Sequence, residues 1–452
     1  MTPGELGPSY ERVLVERKRD AALEAAADKL LHGESPLEAD IFRRYGVDGL
    51  ILDGHFGAVP IGAGGEGGIP FTEDSFDHKK SSKFLIRGFI PAGGGISLDG
   101  EPIYSDPPIL PGQTCGNTPY VGGTQSVCLN LDTATLQQYG LDGTKVAIAL
   151  IDTGIYLPHL TRQLGSAPSL DIAESWTPPT LATKPGLHRL GHGTMCAFGA
   201  LIAAPKATLL DYPLLLSRVV GDHSVAGTVG EIIKGYWPLA YRWRFGSLGT
   251  KYDALVVNNS WGIFHPSLDY PLNDPRRFTD NPLHIFHFIV NGLILLGMDV
   301  IFAGGNCGSE CPSPTCIQRT TGTIMAANSY QEVLTLSGCD INDQRVGYSS
   351  KGPSVANMFQ NKPDLAAYTH FLGSMTLANY LPDTGTSTAS AVAAGCAAAL
   401  RARLPASTAT PAQLFKALKQ SAQPAGPPGY DFEYGFGIIR PVAAARMLGL
   451  IP

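Results

Sequence analysis

The chain has 452 residues, of which 44% are hydrophobic and 16% charged, with a formal net charge of −6. That length and balance describe a globular protein with a sizeable core and exclude a disordered chain. The mild acidity, without any long basic tract, excludes the electrostatic footprint of a nucleic-acid binder.

The first 33 residues, "MTPGELGPSYERVLVERKRDAALEAAADKLLHG", are charged throughout and lack the apolar stretch of a secretory leader. As it stands the sequence favours the cytosol, with export through a leader outside this numbering as the other reading. Ala, Leu, Glu, Arg and Lys dominate Tyr10–Leu31, which predicts one helix stopped at Gly33. From about Gly46 to Gly123 the chain is dense in glycine and proline. Its run "GAVPIGAGGEGGIPF" is followed by no Gly-Lys-Ser/Thr and is no phosphate loop. Residues 1–130 therefore read as an N-terminal extension, a helix followed by loops: a prosegment, a regulatory extension or a partner-binding module.

From Leu131 onward the pattern becomes regular. "TKVAIALID", "ATLLDYPLL", "YDALVVNNSWG" and "GMDVIFAGGN" are continuous apolar runs that end at Gly, Asp or Asn, the signature of strands buried on both faces. Helices are predicted between them, over 225–244 and 282–296, and "GYWPLAYRWRF" at 235–245 reads as a helix packing face. Alternating strands and helices give an α/β fold with a largely parallel sheet over 131–452. The most apolar stretch, 287–305, is interrupted by Asn291 and Asp299 and falls short of a span of about 20 apolar residues. It predicts a buried helix running into a buried strand.

Eight cysteines are too few for a small disulfide scaffold at this length. Cys196 and Cys396 sit in small apolar runs and read as core thiols, while Cys115 and Cys128 flank a glycine-rich loop. Cys307, Cys311, Cys316 and Cys339 form a cluster whose spacing matches no standard zinc pattern, which leaves disulfides, a structural zinc site and reduced thiols open.

Four polar residues stand where an α/β sheet concentrates function, at strand ends and helix starts. Asp152 follows the strand "VAIALI". His192 lies between two glycines at the head of a small-residue helix. Asn306 ends "IFAGGN", and Ser387 opens the Ala-rich "TASAVAAGCAAAL". A serine there serves as an ordinary cap, or as a nucleophile beside backbone N–H groups and a helix dipole that stabilise an oxyanion.

Asp, His and Ser in that order, with "IDTGI", "GHGTMCA", "NNSWG", "AGGNCG", "GTSTASAVAAG", "YSSKGPS" and "YGFGIIRPVAAA", resemble the subtilisin-like serine proteases over about 131–447. The resemblance implies a three-layer α/β fold with Ser387 as nucleophile, His192 as general base and acid, and Asp152 as its orienting carboxylate. It implies an oxyanion hole from the Asn306 side chain and the Ser387 N–H, and substrate binding by strand addition along Ser260, Trp261 and Gly262. Trp261 reads equally as a substrate surface or a core aromatic. The expected activity is endopeptidase cleavage of proteins or precursor peptides with no cofactor; a structural calcium is compatible, and no feature assigns an oligomeric state. An inactive fold of this kind used for peptide binding is the alternative.

Two features depart from the family pattern: Thr388 and Ala391 where it usually has Met and Pro, and the cysteine-rich "NCGSECPSPTC" beyond Asn306. A bridge or metal there is expected to brace the oxyanion loop. Other readings of the same residues are weaker. "LPDTG" stands too far from the C-terminus for a wall-sorting signal. A second "DTG" at Asp383 suits an all-β aspartic protease and not an Ala-rich helix. "HRLGH" lacks the glutamate of a zinc peptidase. Asp383 remains a candidate for favouring basic substrate residues.

Overall fold

The structure, a computed structural model, describes residues 10–31, 50–53, 56–61, 81–95, 97–98, 100–111, 114, 118–179, 181–216, 227–376 and 381–452.

The N-terminus departs from the sequence-based expectation. Tyr10–Lys18 is a strand (β1), and only Ala21–Leu31 is a helix (α1). Residues along "YERVLVERK" alternate in direction: Val13 and Val15 pack with Leu23, Ala26 and Ala27 of α1, while Leu14 joins a second core on the other side. A period of two with β-branched residues specifies a strand, and the helix-favouring charged residues around it are its solvated ends. Asp20 starts the helix, its Oδ1 accepting from the N–H groups of Ala22 and Leu23.

Among the described residues, the stretch expected as loops also contains strands. Ile51–Leu52 (β2), Val59–Pro60 (β3), Lys83–Pro91 (β4), Ser97–Leu98 (β5) and Glu101–Ser105 (β6) join β1 in a sheet of order β2-β4-β1-β6-β5, with β3 on β4. β1 and β4 pair antiparallel from Tyr10 opposite Pro91 to Lys18 opposite Lys83. Most of the glycine run beyond Ile61 lies outside the described residues. A further short strand, Pro108–Pro111 (β7), leaves this sheet for the other body.

That body begins with Thr124–Leu131 (α2) and Thr133–Gln138 (α3). Val146–Asp152 (β8), Leu157–Leu164 (α4), Gly191–Ala203 (α5) and Thr208–Pro213 (β9) follow. Then come Gly227–Thr228 (β10), Val229–Arg244 (α6), Leu248–Lys251 (α7), Ala254–Asn259 (β11) and Trp261–Gly262 (β12). Ile285–Leu295 (α8), Asp299–Ala303 (β13), Leu334–Cys339 (β14), Leu365–Tyr368 (β15), Gly385–Arg401 (α9), Pro411–Gln420 (α10) and Pro441–Met447 (α11) complete it. The 287–305 stretch is thus a helix leading into a buried strand, as its pattern predicts.

Six strands form one parallel sheet of order β15-β14-β13-β11-β8-β9. Continuous apolar runs are what this sheet requires, because both faces are covered. Along β8, Val146, Ile148 and Leu150 face a core shared with α2, α5 and α9, whereas Ala147, Ala149 and Ile151 face a core shared with α6 and α8. The result is three layers, helix, sheet and helix.

The two helices that hold the candidate residues His192 and Ser387, α5 and α9, touch closely. A Cβ on Gly395 would meet the Ala200 carbonyl oxygen at 2.1 Å, and one on Gly199 would meet Ala391 Cβ at 3.4 Å. Small residues at this crossing let the backbones meet, and Ala391 keeps α9 unbroken from Gly385 to Arg401.

Candidate active site

Sheet polarity gathers the site at the carboxyl ends of β8, β11 and β13. Asp152 is the last residue of β8 and fully buried; His192 lies in the first turn of α5. His192 Nδ1–H donates to Asp152 Oδ1 at 2.7 Å, and because a carboxylate only accepts, that bond fixes the imidazole tautomer. The Thr153 N–H donates to the same oxygen at 2.7 Å, and the Gly193 N–H to Thr153 Oγ1 at 3.0 Å. Glycine is obligatory at 193, since a Cβ there would meet the Gly154 carbonyl oxygen at 2.4 Å. His192 Nε2 is buried without a hydrogen-bond partner. It is the ring nitrogen able to take a proton.

Ser387 is in the first turn of α9, 1% exposed, and its hydroxyl donates to the Ser260 carbonyl at 3.3 Å. Beneath it, Ser260 Oγ donates to the Ser387 carbonyl at 3.1 Å and is 3.0 Å from Ser390 Oγ, tying the end of β11 to α9. By its place in the first turn the Ser387 N–H has no intrahelical acceptor. The Gly385 N–H donates to Tyr348 Oη (3.0 Å) and the Thr386 N–H to Asn306 Oδ1 (2.9 Å). Thr386 Oγ1 also donates to Asn306 Oδ1, at 3.0 Å, so the amide oxygen is committed to α9.

Cys196, one turn beyond His192, is buried, with Sγ 4.0 Å from His192 Nδ1 and 3.9 Å from the Ser387 carbonyl oxygen. Burial and the Asp152 charge push its thiol well above the ordinary range, which keeps it neutral. Sequence reasoning read it as a core thiol, and it is one, placed under the site. The Asp152, His192 and Cys196 donors lie within 4.8 Å of one another.

The candidate substrate strand is occupied by the chain itself. β7 runs between β10 and β12, with Ile109 opposite Gly227, Leu110 opposite Gly262 and Pro111 opposite Trp261. The Trp261 side chain faces the core, 1% exposed and edge-to-face with Phe302 at 5.2 Å, so it serves as a core aromatic while its backbone carries the ladder. Asn328 Nδ2 donates to the carbonyls of Trp261 (2.9 Å) and Ala303 (2.7 Å), fixing β12 against β13. This occupant was not legible in residues 108–111, where two prolines hide a strand.

Three other sequence expectations resolve here. Asp383 does not face a substrate: it is 1% exposed, and its carboxylate accepts from Ser374 N–H (2.8 Å) and Ser374 Oγ–H (2.6 Å). Burial raises it to about 7, and its work is to shape the loop before α9. His188 stands apart from His192, buried 3.9 Å from Asp211, with burial lowering it to about 4. In the cysteine cluster, Cys307 pairs with Cys316 and Cys311 is also disulfide-bonded, whereas Cys339 is a buried free thiol. Cys196 and Cys396 are free and buried, as expected.

Comparison with known proteins agrees with this architecture. The subtilase family model, peptidase S8, matches residues 143–437. The chain belongs to that family, whose three-layer fold it has. A thermostable alkaline protease of Halalkalibacterium halodurans is 24% identical over 319 residues, 68% of this chain and 70% of its own. A minor extracellular protease, Epr, of Bacillus subtilis is 24% identical over 316 residues, covering 68% of this chain and 39% of that protein. Among solved structures, the crystal structure of a lanthipeptide protease aligns with a TM-score of 0.49 and 20% identity, over 72% of this chain and 95% of that one.

Proposed function

We propose that the protein is a serine endopeptidase acting on proteins or precursor peptides through Asp152, His192 and Ser387. The observation that carries this reading is the 2.7 Å bond from His192 Nδ1 to the buried Asp152, which leaves Nε2 as the ring nitrogen without a hydrogen-bond partner. Ser387 Oγ adds to the scissile carbonyl as its proton passes to His192 Nε2, which then delivers it to the leaving amine. Asp152 holds the ring and stabilises the imidazolium. The Asn306 amide and the Ser387 N–H receive the developing oxyanion, aided by the positive end of α9.

Residues 1–130 act in this reading as an inhibitory folding segment that precedes a peptidase domain of 131–452. Its support is β7, lying where an extended substrate would add to β12. Bridged cysteines at 307, 311 and 316 suit an oxidising compartment better than the cytosol.

A fluorophosphonate probe tests the catalytic reading. Labelling of the native protein that disappears in Ser387→Ala is the expected result. No labelling under any activating condition would leave a peptide-binding fold instead. Mass spectrometry tests the N-terminal reading, because an active form intact from Met1 is incompatible with a removed segment.

A further inference from the structure

The cysteine-rich loop beyond Asn306 lies against the occupied strand. Phe264, Cys307 and Cys316 form a small buried apolar cluster of their own, and the side chain packed on it from outside is Leu110 of β7. Cys307 directly follows Asn306, and Cys316 Sγ is 3.6 Å from the Asn306 carbonyl oxygen, so the bridge sits next to the oxyanion donor. Phe264 follows β12 by two residues. The cluster therefore fills the space between the substrate strand and the oxyanion loop.

Register then decides which substrate residue meets it. Ser260, whose carbonyl holds the Ser387 hydroxyl, directly precedes Trp261, and Trp261 is opposite Pro111. In an antiparallel ladder, a peptide continuing one residue beyond the position of Pro111 brings its next carbonyl opposite Ser260, beside the nucleophile. Side chains alternate along a strand, so that residue projects to the same side as the one at the Leu110 position. It meets the same disulfide and the same phenyl ring.

The loop has little room to yield. Cys307, Cys316 and Phe264 are at most 3% exposed, the Cys307 N–H donates to Ser350 Oγ at 3.0 Å, and a Cβ on Gly308 would meet the Gly347 carbonyl oxygen at 2.3 Å. On the other face of the ladder Ile109 is fully buried in the main core, and Pro111 occupies a position opposite Trp261.

On the endopeptidase reading above, we propose that the Cys307–Cys316 disulfide and Phe264 close the subsite for the residue that supplies the attacked carbonyl. The enzyme then cleaves after glycine or a similarly small residue, preceded by proline and two aliphatic residues. The chain carries such a sequence itself, "PILPGQ", in which Gly112 lies outside the described residues.

The full-length protein is assayed on peptides Pro-Ile-Leu-Pro-X-Gln-Thr with X as Gly, Ala, Leu, Phe or Arg, and any new N-terminus of its own chain is sequenced. Cleavage after Gly is expected to exceed cleavage after Leu, Phe or Arg by about 100-fold in kcat/KM, a discrimination within reach of a closed apolar pocket. Self-cleavage is expected to fall inside the 1–130 segment and to leave Gln113 as the new N-terminus. Phe264→Ala, with a circular dichroism spectrum like that of the parent, is expected to narrow the Gly-to-Phe ratio at least about tenfold through a gain on the Phe peptide. Equal or faster cleavage after Phe or Leu overturns the proposal, as does a ratio unmoved in a folded Phe264→Ala. If Ser387 labels with the fluorophosphonate but small-residue peptides are not favoured, the specificity alone is wrong. If it neither labels nor cuts, the endopeptidase reading fails and the specificity with it.

Discussion

The N-terminal sheet meets the parallel-sheet body through a shared apolar core, Leu14, Phe56, Val59 and Leu85 clustering with Tyr236 and Trp237, edged by charge and single hydrogen bonds, whereas the body holds its own layers together by direct backbone contact. Arg87 of β4, held at 2.7 Å by Asp53 just beyond β2 of its own sheet, reaches Glu231 of α6 at 2.8 Å, and Asp106 Oδ1 accepts from the Gly230 N–H at 2.6 Å in the first turn of α6. Between the two lies an open cavity of about 410 Å³ lined by Glu11, Arg12 and Asp106 from one side and Leu268, Asp269 and Tyr270 from the other. Within the body, Gly395 lies on Ala200 and Gly193 on Gly154 with no space for a methyl group. Polar contacts around unfilled space exchange readily for water, and close packing does not. The polar rim of the first interface exchanges for water more readily than the close packing inside the body.

That contrast predicts that changes in the body alter chemistry or stability and changes at the interface alter docking alone. The largest effect is expected from Asp152→Asn, which keeps the geometry but loses the tautomer control of His192. Steady-state kinetics should show kcat lower by about 10⁴-fold with the fold intact. Next comes the buried pair of Arg401 with Asp299, two bonds of 2.7 Å between side chains with no exposure. Asp299→Ala leaves the guanidinium uncompensated and should cost about 3–5 kcal/mol of unfolding free energy, read by denaturant titration. The N-terminal sheet makes no use of this pair, so a comparable loss in its docking would blur the distinction. On the proposed endopeptidase mechanism, Asn306→Ala should lower kcat by about 10²–10³-fold with KM little changed.

Legibility in the sequence followed the same division. Strands β8, β11 and β13 announce themselves because both faces are buried and their runs are continuously apolar apart from polar residues at their ends, whereas the roles read for Asp152, Ser260 and Asn306 came from the family resemblance. β1 was concealed because only Val13, Leu14 and Val15 carry its alternation, within a chain otherwise composed like a helix. β7 was concealed for another reason: Pro108 and Pro111 suppress the strand signal, yet they are its two end residues and each pairs with one neighbour alone, Thr228 or Trp261. The Cys307–Cys316 pairing was open because spacing alone does not choose among eight cysteines, and only the fold brings Cys316 back under Asn306.

The smallest effect concerns pH and tests whether the interface is held by exchangeable polar contacts. His284, in the turn before α8, has both ring nitrogens in use: Nδ1 accepts from the Phe286 N–H at 3.2 Å, and Nε2–H donates to the Ser105 carbonyl of the N-terminal sheet at 3.0 Å. Tyr104 and Phe278 cover it edge-on, and Asp269 is the nearby carboxylate that partly favours its charge. Burial nonetheless lowers the imidazole to about 4. Once undocked, the ring faces water and returns toward its ordinary value near 6.5. The undocked state therefore binds the extra proton, so docking is at full strength above about pH 6.5 and weakens as pH falls toward 4, by at most about tenfold per pH unit. Hydrogen exchange of residues 101–111 in the full-length Ser387→Ala chain should quicken over that window relative to the body, after correction for intrinsic rates, and His284→Gln should flatten the dependence. Superimposable profiles for the two proteins would mean that other groups hold the interface, and that its polar contacts at Ser105 are incidental.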